Sequence, residues 1–256
     1  MKIGICSPQE HWSKIKTIGY DFAEGYFRGI TIATQEDFNR MCEFQGESGI
    51  SVEVCNGIFG NDIPLYEGKE SDALISDYLE KGFYRTKLLG GEITVFGSGA
   101  ARRIPDGMET ERAKDRFAQV LYLAGDIAKK NGMQLALEPL SYRETNFINT
   151  LSDGIDICKY TGHPNVGITL DFFHFYSNGE DIATVADASP YLFHAHLARP
   201  NPDRKAPTAT DLEECRKWAE ALRSIGYDKR ISLEAIFSAD LIADCKQAYP
   251  VMQLFK

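Results

Sequence analysis

Four segments in the second half of the chain end in a side chain that can bind a metal ion. Each is a short apolar run with the character of a buried strand, and the four closing residues are Glu138, Asp171, His196 and Glu234. Singly, such a carboxylate is more often paired with a neighbouring Arg or Lys, and such a histidine is more often a structural hydrogen-bonding residue. Because successive parallel strands of a barrel bring their carboxyl ends to one face, the four together predict one shared site.

The chemical types of these side chains indicate a metal site made mainly of hard oxygen ligands. Three carboxylates with one imidazole suit Mn²⁺, and they also suit Mg²⁺ or Co²⁺. Zn²⁺ binds the same two groups, so ligand type alone does not exclude it. We therefore expect one divalent metal ion, with Mn²⁺ as the first choice.

Short strand-like runs alternate with longer segments of helical periodicity, which is typical of repeated β–α units around a parallel sheet. Strands are predicted at residues 2–6, 20–24, 51–55, 92–96, 134–138, 166–171, 192–197 and 231–235. The clearest helices are predicted at residues 34–48, 71–89, 110–131, 151–161, 211–225 and 240–255. Thr150 and Asp153 have the spacing of a capping box before the helix at 151–161.

The length of the chain and the absence of a dividing linker indicate one domain over residues 1–256. Eight predicted strands in 256 residues match the roughly 250 residues of a (β/α)8 TIM barrel, an α/β fold. No linker rich in Pro, Gly or Ser divides the chain. The longest non-periodic segments, at 56–70, 97–108 and 197–210, follow predicted strands, where the loops of such a barrel build the active face.

The charge and the cysteines limit the partners and the compartment. A net charge of -9 disfavours nucleic acid, because phosphate binding depends on a surplus of Lys and Arg. The first residues lack the apolar region of a signal peptide, and no stretch reaches the roughly 20 apolar residues of a membrane span. The six cysteines are scattered without a C-x-x-C pair, so we expect reduced thiols and a cytoplasmic protein without a membrane partner.

Two motifs give the chain a family resemblance. Residues 138–144 read E-P-L-S-Y-R-E, and residues 170–174 read L-D-F-F-H. With the four candidate ligands, these motifs resemble the xylose isomerase-like TIM barrel superfamily, and within it the ketose 3-epimerases of the tagatose and psicose type and the sugar phosphate isomerases and epimerases.

The resemblance implies a role for each matching residue. It implies that Glu138, Asp171, His196 and Glu234 bind the metal, and that Glu138 and Glu234 also act as the acid and base pair. It further implies that Glu144 binds a substrate hydroxyl and His174 contacts the carbonyl oxygen. Arg204 is the nearest counterpart of an arginine that follows the metal histidine, with Arg199 second. The implied partner is a small sugar, and a homo-oligomer is common among similar proteins.

The chain departs from the family pattern in ways that leave the substrate open. Ser141 replaces the usual Asn, Tyr142 and Arg143 are in swapped order, and Arg204 lies slightly farther from His196 than in the psicose enzymes. The sequence does not decide whether the sugar is phosphorylated. The chemistry itself explains the residue types, because a metal ion stabilises an enediolate while two carboxylates act as base and acid.

Several rival functions remain at this stage. A dehydratase acting on an inosose, or a hydroxypyruvate-type isomerase, would use the same first step on the same residues. An endonuclease IV-like enzyme is disfavoured, because its three-zinc site needs more histidines than the five in this chain. A non-catalytic sugar-binding module would be expected to have a degraded site.

Weaker signals lie near the predicted active face. Gly97-Ser98-Gly99, followed by Arg102 and Arg103, could contact a phosphate or sugar hydroxyl, although a lone G-x-G is more often a turn. His11 and Trp12 follow the first strand and could form an apolar wall for the sugar or cap the barrel mouth.

Overall fold

The strands of the computed structural model, which describes residues 1–256 apart from the side chain of Lys69, are parallel and close into a barrel. In chain order β1 to β8 span Lys2–Cys6, Phe22–Tyr26, Ser51–Asn56, Ile93–Phe96, Gln134–Leu137, Val166–Asp171, Leu192–Leu197 and Arg230–Leu233. Each strand pairs with its sequence neighbours, and β1 pairs with β8. The predicted (β/α)8 fold is confirmed.

Helices surround the barrel between successive strands. In chain order α1 to α9 span Trp12–Ile18, Phe27–Ile32, Gln35–Ser48, Asp72–Leu88, Thr110–Lys130, Leu151–Thr161, Phe172–Ser177, Leu212–Ser224 and Leu241–Met252. The six predicted helices are all present, and the short α1, α2 and α7 add to them. The predicted capping box is confirmed, because Thr150 Oγ1 accepts the Asp153 N–H and Asp153 Oδ2 accepts the Thr150 N–H.

Several strand bounds differ from the prediction by one or two residues, and three of these differences lie at the site. Strand β2 continues past Glu24 because Gly25 and Tyr26 pair with the end of β3. Strands β5 and β8 stop one residue before Glu138 and Glu234, respectively. The sequence pattern could not fix these ends, because they depend on pairing with neighbouring strands and not on local side-chain preference.

The barrel interior is apolar at its centre and charged at both ends. A small buried cluster fills the centre, formed by Phe22, Val54, Ile93, Val95, Ala136 and Phe193. At the amino end of the strands, Glu53 accepts hydrogen bonds from Lys2 and Arg230. Most of the remaining core lies between the barrel and the helices. Among the described residues, none of the helices combines the length and the apolar character needed to span a membrane.

Candidate active site

The four candidate ligands converge at the carboxyl end of the barrel. Glu138, Asp171, His196 and Glu234 each offer one ligand atom, and these atoms all lie within 4.8 Å of one another. His196 Nδ1 lies 2.8 Å from Glu138 Oε1 and 3.0 Å from Glu234 Oε2. The residues come from or directly after β5 to β8, which is the end where barrel sites lie.

Backbone hydrogen bonds fix the positions of the three carboxylates. The Glu138 N–H donates to the Phe96 carbonyl at 3.1 Å, and the Glu234 N–H donates to the Leu197 carbonyl at 3.0 Å. Both residues therefore keep a last sheet bond although their own strands have ended. Asp171 caps α7, and its Oδ1 accepts the N–H of Phe173 at 2.7 Å. Its Oδ2 is left to face the site.

A buried carboxylate behind His196 orients the imidazole. Glu24 is 1% exposed, and its two oxygens lie 2.9 Å from His196 Nε2 and 3.1 Å from His194 Nε2. An Nε2–H that donates to Glu24 directs Nδ1 of His196 toward Glu138 and Glu234. A carboxylate behind a histidine is the usual outer support of a metal-binding imidazole. Cys6 also lies within reach of Glu24 and His196 and could complete a second group of ligand atoms.

The electrostatics of this site are dominated by negative charge. Burial lowers the pKa of His196, but Glu24, Glu234 and Glu138 outweigh burial and raise this pKa well above its ordinary range. Burial and then the neighbouring Glu234 raise the pKa of Glu138. Burial raises the pKa of Glu234, but the neighbouring His196 and Arg204 lower it by more. The pKa of Glu234 therefore falls to about 2. The donor set is thus one that a divalent cation would stabilise.

Arg204 also reaches the centre of the site. Its guanidinium donates to Asp171 Oδ2 and Glu234 Oε2, at 2.7 Å each, and lies 4.9 Å from the centre of the Phe173 ring. Its backbone is left-handed, with φ of 50°, which is costly for a residue with a Cβ and occurs often at functional sites. Arg199 instead lies near Asp203 and Asp211, so Arg204 is the arginine that faces the candidate ligands.

The two remaining predicted contacts lie beside the four ligands. His174 is 1% exposed, and its Nδ1 accepts the N–H of Ser141 at 3.2 Å. Its Nε2 lies 3.5 Å from Asp171 Oδ2 and has no hydrogen-bond partner among the described residues. Glu144 Oε1 lies 3.7 Å from His174 Nδ1 and 3.8 Å from Arg204. These side chains line a cavity of about 170 Å³ above the candidate ligands.

The loop after β4 supports Glu138 from two sides. A Cβ placed on Gly97 would lie 2.5 Å from Glu138 Oε2, so only glycine leaves this carboxylate its space. Arg102 is fully buried, and it donates to the backbone carbonyls of Phe96, Glu138 and Ile148. Arg102 therefore braces the backbone around the site. Burial lowers the pKa of its guanidinium to about 10. Arg103 donates to the Glu144 carbonyl at 3.2 Å.

Sequence reasoning overlooked several residues of this site. Glu24 closes an apolar run in the same way as the four candidate ligands, so a signal for it was present. Asn56 directly follows a predicted strand, and its Nδ2 donates to Glu234 Oε1 at 2.9 Å. The space that Gly97 provides for Glu138 had no such signal, because it depends on the approach of two separate loops.

Comparison with known proteins places the chain in a family. Residues 12–247 match the model of the xylose isomerase-like TIM barrel, and the chain belongs to that family. Over 234 residues it is 28% identical to D-psicose 3-epimerase of Ruminiclostridium cellulolyticum, covering 86% of this chain and 75% of the relative. The family resemblance seen in the sequence is confirmed.

Solved structures share the fold over nearly the whole chain. 3-Keto-D-glucoside 4-epimerase from E. coli superimposes with a TM-score of 0.81 at 21% identity, covering 99% of each chain. D-Psicose 3-epimerase crystallised in the presence of D-fructose also gives 0.81, at 19% identity, covering 99% of this chain and 97% of that one. At these identities the structures establish the shared barrel. The sequence similarity to D-psicose 3-epimerase supports a sugar epimerase activity.

Proposed function

We propose that this chain is a divalent-metal-dependent epimerase that inverts C-3 of a ketose through an enediolate. The observation that carries the proposal is the convergence of Glu138, Asp171, His196 and Glu234 within 4.8 Å. Their position at the carboxyl end of the barrel strands supports a catalytic role. The similarity to a D-psicose 3-epimerase supports the reaction class.

Those four residues would hold the metal ion, and Glu24 would support His196 from behind. We expect Mn²⁺, with Mg²⁺, Co²⁺ and Zn²⁺ as alternatives, because the donor set is three carboxylates and one imidazole. When bound, the ion supplies a Lewis acid that stabilises negative charge on the substrate oxygens.

Glu138 and Glu234 would move the protons. One carboxylate removes the weakly acidic proton from the carbon beside the carbonyl, and the other returns a proton to the opposite face. The configuration of the substrate determines which glutamate acts first. Glu144 would bind a substrate hydroxyl, and Arg204 would help to hold the sugar. His174 would contact the carbonyl oxygen, for which its unpartnered Nε2 is suited.

The test is deuterium exchange at the carbon beside the carbonyl. Chelator-treated protein is incubated with a panel of ketoses and inososes in deuterated water, with and without Mn²⁺, and followed by NMR. We expect exchange and a C-3 epimer only when the metal is present. Parallel reactions with Mg²⁺, Co²⁺ and Zn²⁺ identify the preferred ion. A dehydrated product from an inosose, or an aldose, would instead assign the dehydratase or isomerase reaction.

Matched substitutions connect the exchange to the site. Glu138→Gln and Glu234→Gln should abolish it, because an amide cannot accept the proton. Glu53→Gln is the control, since Glu53 is also buried but lies at the opposite end of the barrel. Exchange that persists in both site variants would contradict the proposed acid and base pair. Absence of exchange on every substrate would contradict the proposed function.

We further propose a cytoplasmic location and a homo-oligomeric state, with no nucleic-acid partner. The acidic net charge supports the last point. Size-exclusion chromatography with light scattering measures the oligomeric state directly, and a monomer would overturn that expectation.

A further inference from the structure

Cys6 places a thiol beside the proposed metal site, and the proposed reaction gives this thiol no role. Cys6 is the last residue of β1, and it pairs in the sheet with Glu24 of β2. Its Sγ lies 3.5 Å from Asn56 Nδ2, which also donates a hydrogen bond to Glu234. The thiol therefore faces the barrel interior at the end that holds the four candidate ligands.

Three different types of metal ligand meet at this thiol. Cys6, Glu24 and His196 each offer one ligand atom, and these atoms all lie within 4.8 Å of one another. In a tetrahedral zinc site, bond lengths of roughly 2.0–2.3 Å separate the ligand atoms by about 3.5 Å. Small side-chain rotations would therefore bring all three to bonding distance. A thiolate favours Zn²⁺ and other thiophilic ions over Mn²⁺ and Mg²⁺.

His196 belongs both to this group and to the four candidate ligands. Its Nδ1 lies 2.8 Å from Glu138 Oε1 and 3.0 Å from Glu234 Oε2. Its Nε2 lies 2.9 Å from Glu24 Oε1. A neutral imidazole has one nitrogen with a free lone pair, because the other nitrogen carries the proton. An ion held by Cys6 and Glu24 therefore takes the lone pair that the four-ligand site needs.

Space and charge around Cys6 favour the entry of a cation. Cys6 and Glu24 line a cavity of about 390 Å³, which is far larger than the roughly 30 Å³ that one water molecule occupies. A hydrated ion therefore has room beside the thiol. Among the described residues that line this cavity, none is Lys or Arg, and Glu24 is the one charged side chain. The local field therefore attracts a cation.

We propose that Cys6, Glu24 and His196 form a second cation site for a thiophilic divalent ion such as Zn²⁺ or Cd²⁺, and that an ion bound there excludes Mn²⁺ from the four-ligand site. On binding, the thiol releases its proton to solvent, and the thiolate donates an electron pair to the ion. This inference rests on the proposed function for the identity of the four-ligand site. Thiophilic ions should then inhibit the protein, which disfavours Zn²⁺ as its working metal.

Ultraviolet absorption tests the second cation site without requiring turnover. Reduced, chelator-treated protein is titrated with Cd²⁺, because a cadmium–thiolate bond produces a charge-transfer band that carboxylate and imidazole ligands do not produce. We expect this band to appear and to saturate as one site fills. A second titration in saturating Mn²⁺ tests the exclusion. Since coupling between two sites is reciprocal, Mn²⁺ should raise the Cd²⁺ concentration at half-saturation by about tenfold or more.

Substitutions locate the band on one of the six cysteines. Cys6→Ser and Cys6→Ala should each abolish it, because neither side chain supplies a thiolate. Cys42→Ser is the matched control and should retain the band. Cys42 is likewise only partly buried, but it lies on α3 and belongs to no group of ligand atoms among the described residues. Thermal unfolding of each variant verifies that the fold is intact.

Absence of the band, or a band that persists in a folded Cys6 variant, would overturn the inference. So would a half-saturation point that Mn²⁺ shifts by less than about twofold, since both ions would then be bound together. The deuterium-exchange assay distinguishes this failure from failure of the proposed function. Mn²⁺-dependent exchange without a cadmium–thiolate band overturns the inference alone. A Cys6-dependent band that Mn²⁺ opposes, without exchange on any substrate, overturns the function alone.

Discussion

Replacing Glu24 by Gln should weaken metal binding although Glu24 is not one of the four candidate ligands. In the structure its two oxygens accept hydrogen bonds from His196 and His194, at 2.9 and 3.1 Å. An amide has one acceptor oxygen, so one imidazole would face an NH₂ group. Hydrogen bonds to a charged group contribute about 1.5–3 kcal/mol each. We therefore expect a loss of about 10–100-fold in Mn²⁺ affinity, or about 1.4–2.8 kcal/mol.

The measurement is a calorimetric titration of chelator-treated protein with Mn²⁺ at fixed pH and ionic strength. Glu53→Gln is the control, because Glu53 is 8% exposed and accepts hydrogen bonds from Lys2 and Arg230 at the far end of the barrel. It should lower the stability to unfolding but leave the Mn²⁺ affinity unchanged. If folded Glu24→Gln binds Mn²⁺ within twofold of the unchanged protein, His196 does not depend on Glu24 and the reasoning is wrong.

Three other substitutions test the surroundings of the site and one titrating group. Gly97→Ala should displace the Glu138 carboxylate, because the new methyl would lie 2.5 Å from Oε2. We expect deuterium exchange on the substrate to slow by about tenfold or more. Gly46→Ala is the control and should have no effect, because a Cβ there would meet no atom within 4 Å. Arg102→Met removes a donor from three buried carbonyls, of which those of Phe96 and Ile148 keep a backbone N–H, and should cost about 1–3 kcal/mol in urea unfolding. Arg102→Lys should be intermediate, and unchanged stability would contradict the bracing role. Burial raises the pKa of Glu180 to about 7 from an ordinary 4.5, so the folded state holds a proton that the unfolded chain has lost, and stability falls as the pH rises between these values. Glu180→Gln cannot lose a proton, so it should remove about 1–2 kcal/mol of that fall, after allowance for the partial exposure of Glu180. In urea unfolding, the free energy of unfolding of this variant should match that of the unchanged protein at pH 4.5 and exceed it at pH 8.

The sequence predicted the fold because its signals are local and repeated. Apolar runs alternating with helical segments determine a β–α barrel whatever the details of its loops, and a carboxyl-terminal ligand on each of four successive strands indicates the active end. The strand that ends near Glu24 carried the same local signal. What the sequence could not supply is the fit between loops. The ring of Tyr26 packs against Gly29 and Gly57, and this contact joins β2, α2 and the segment after β3. No spacing along the chain encodes it.

The two ends of the barrel interior differ in how their buried carboxylates are paired with cations. At the amino end, Glu53 is paired with the cations of Lys2 and Arg230. At the carboxyl end, Glu24 and the three candidate carboxylate ligands face three imidazoles and one guanidinium, those of His174, His194, His196 and Arg204. An uncompensated buried charge costs several kcal/mol. Because the same barrel pairs its charges at one end, the excess of carboxylates at the other is best explained as a site that a cation completes.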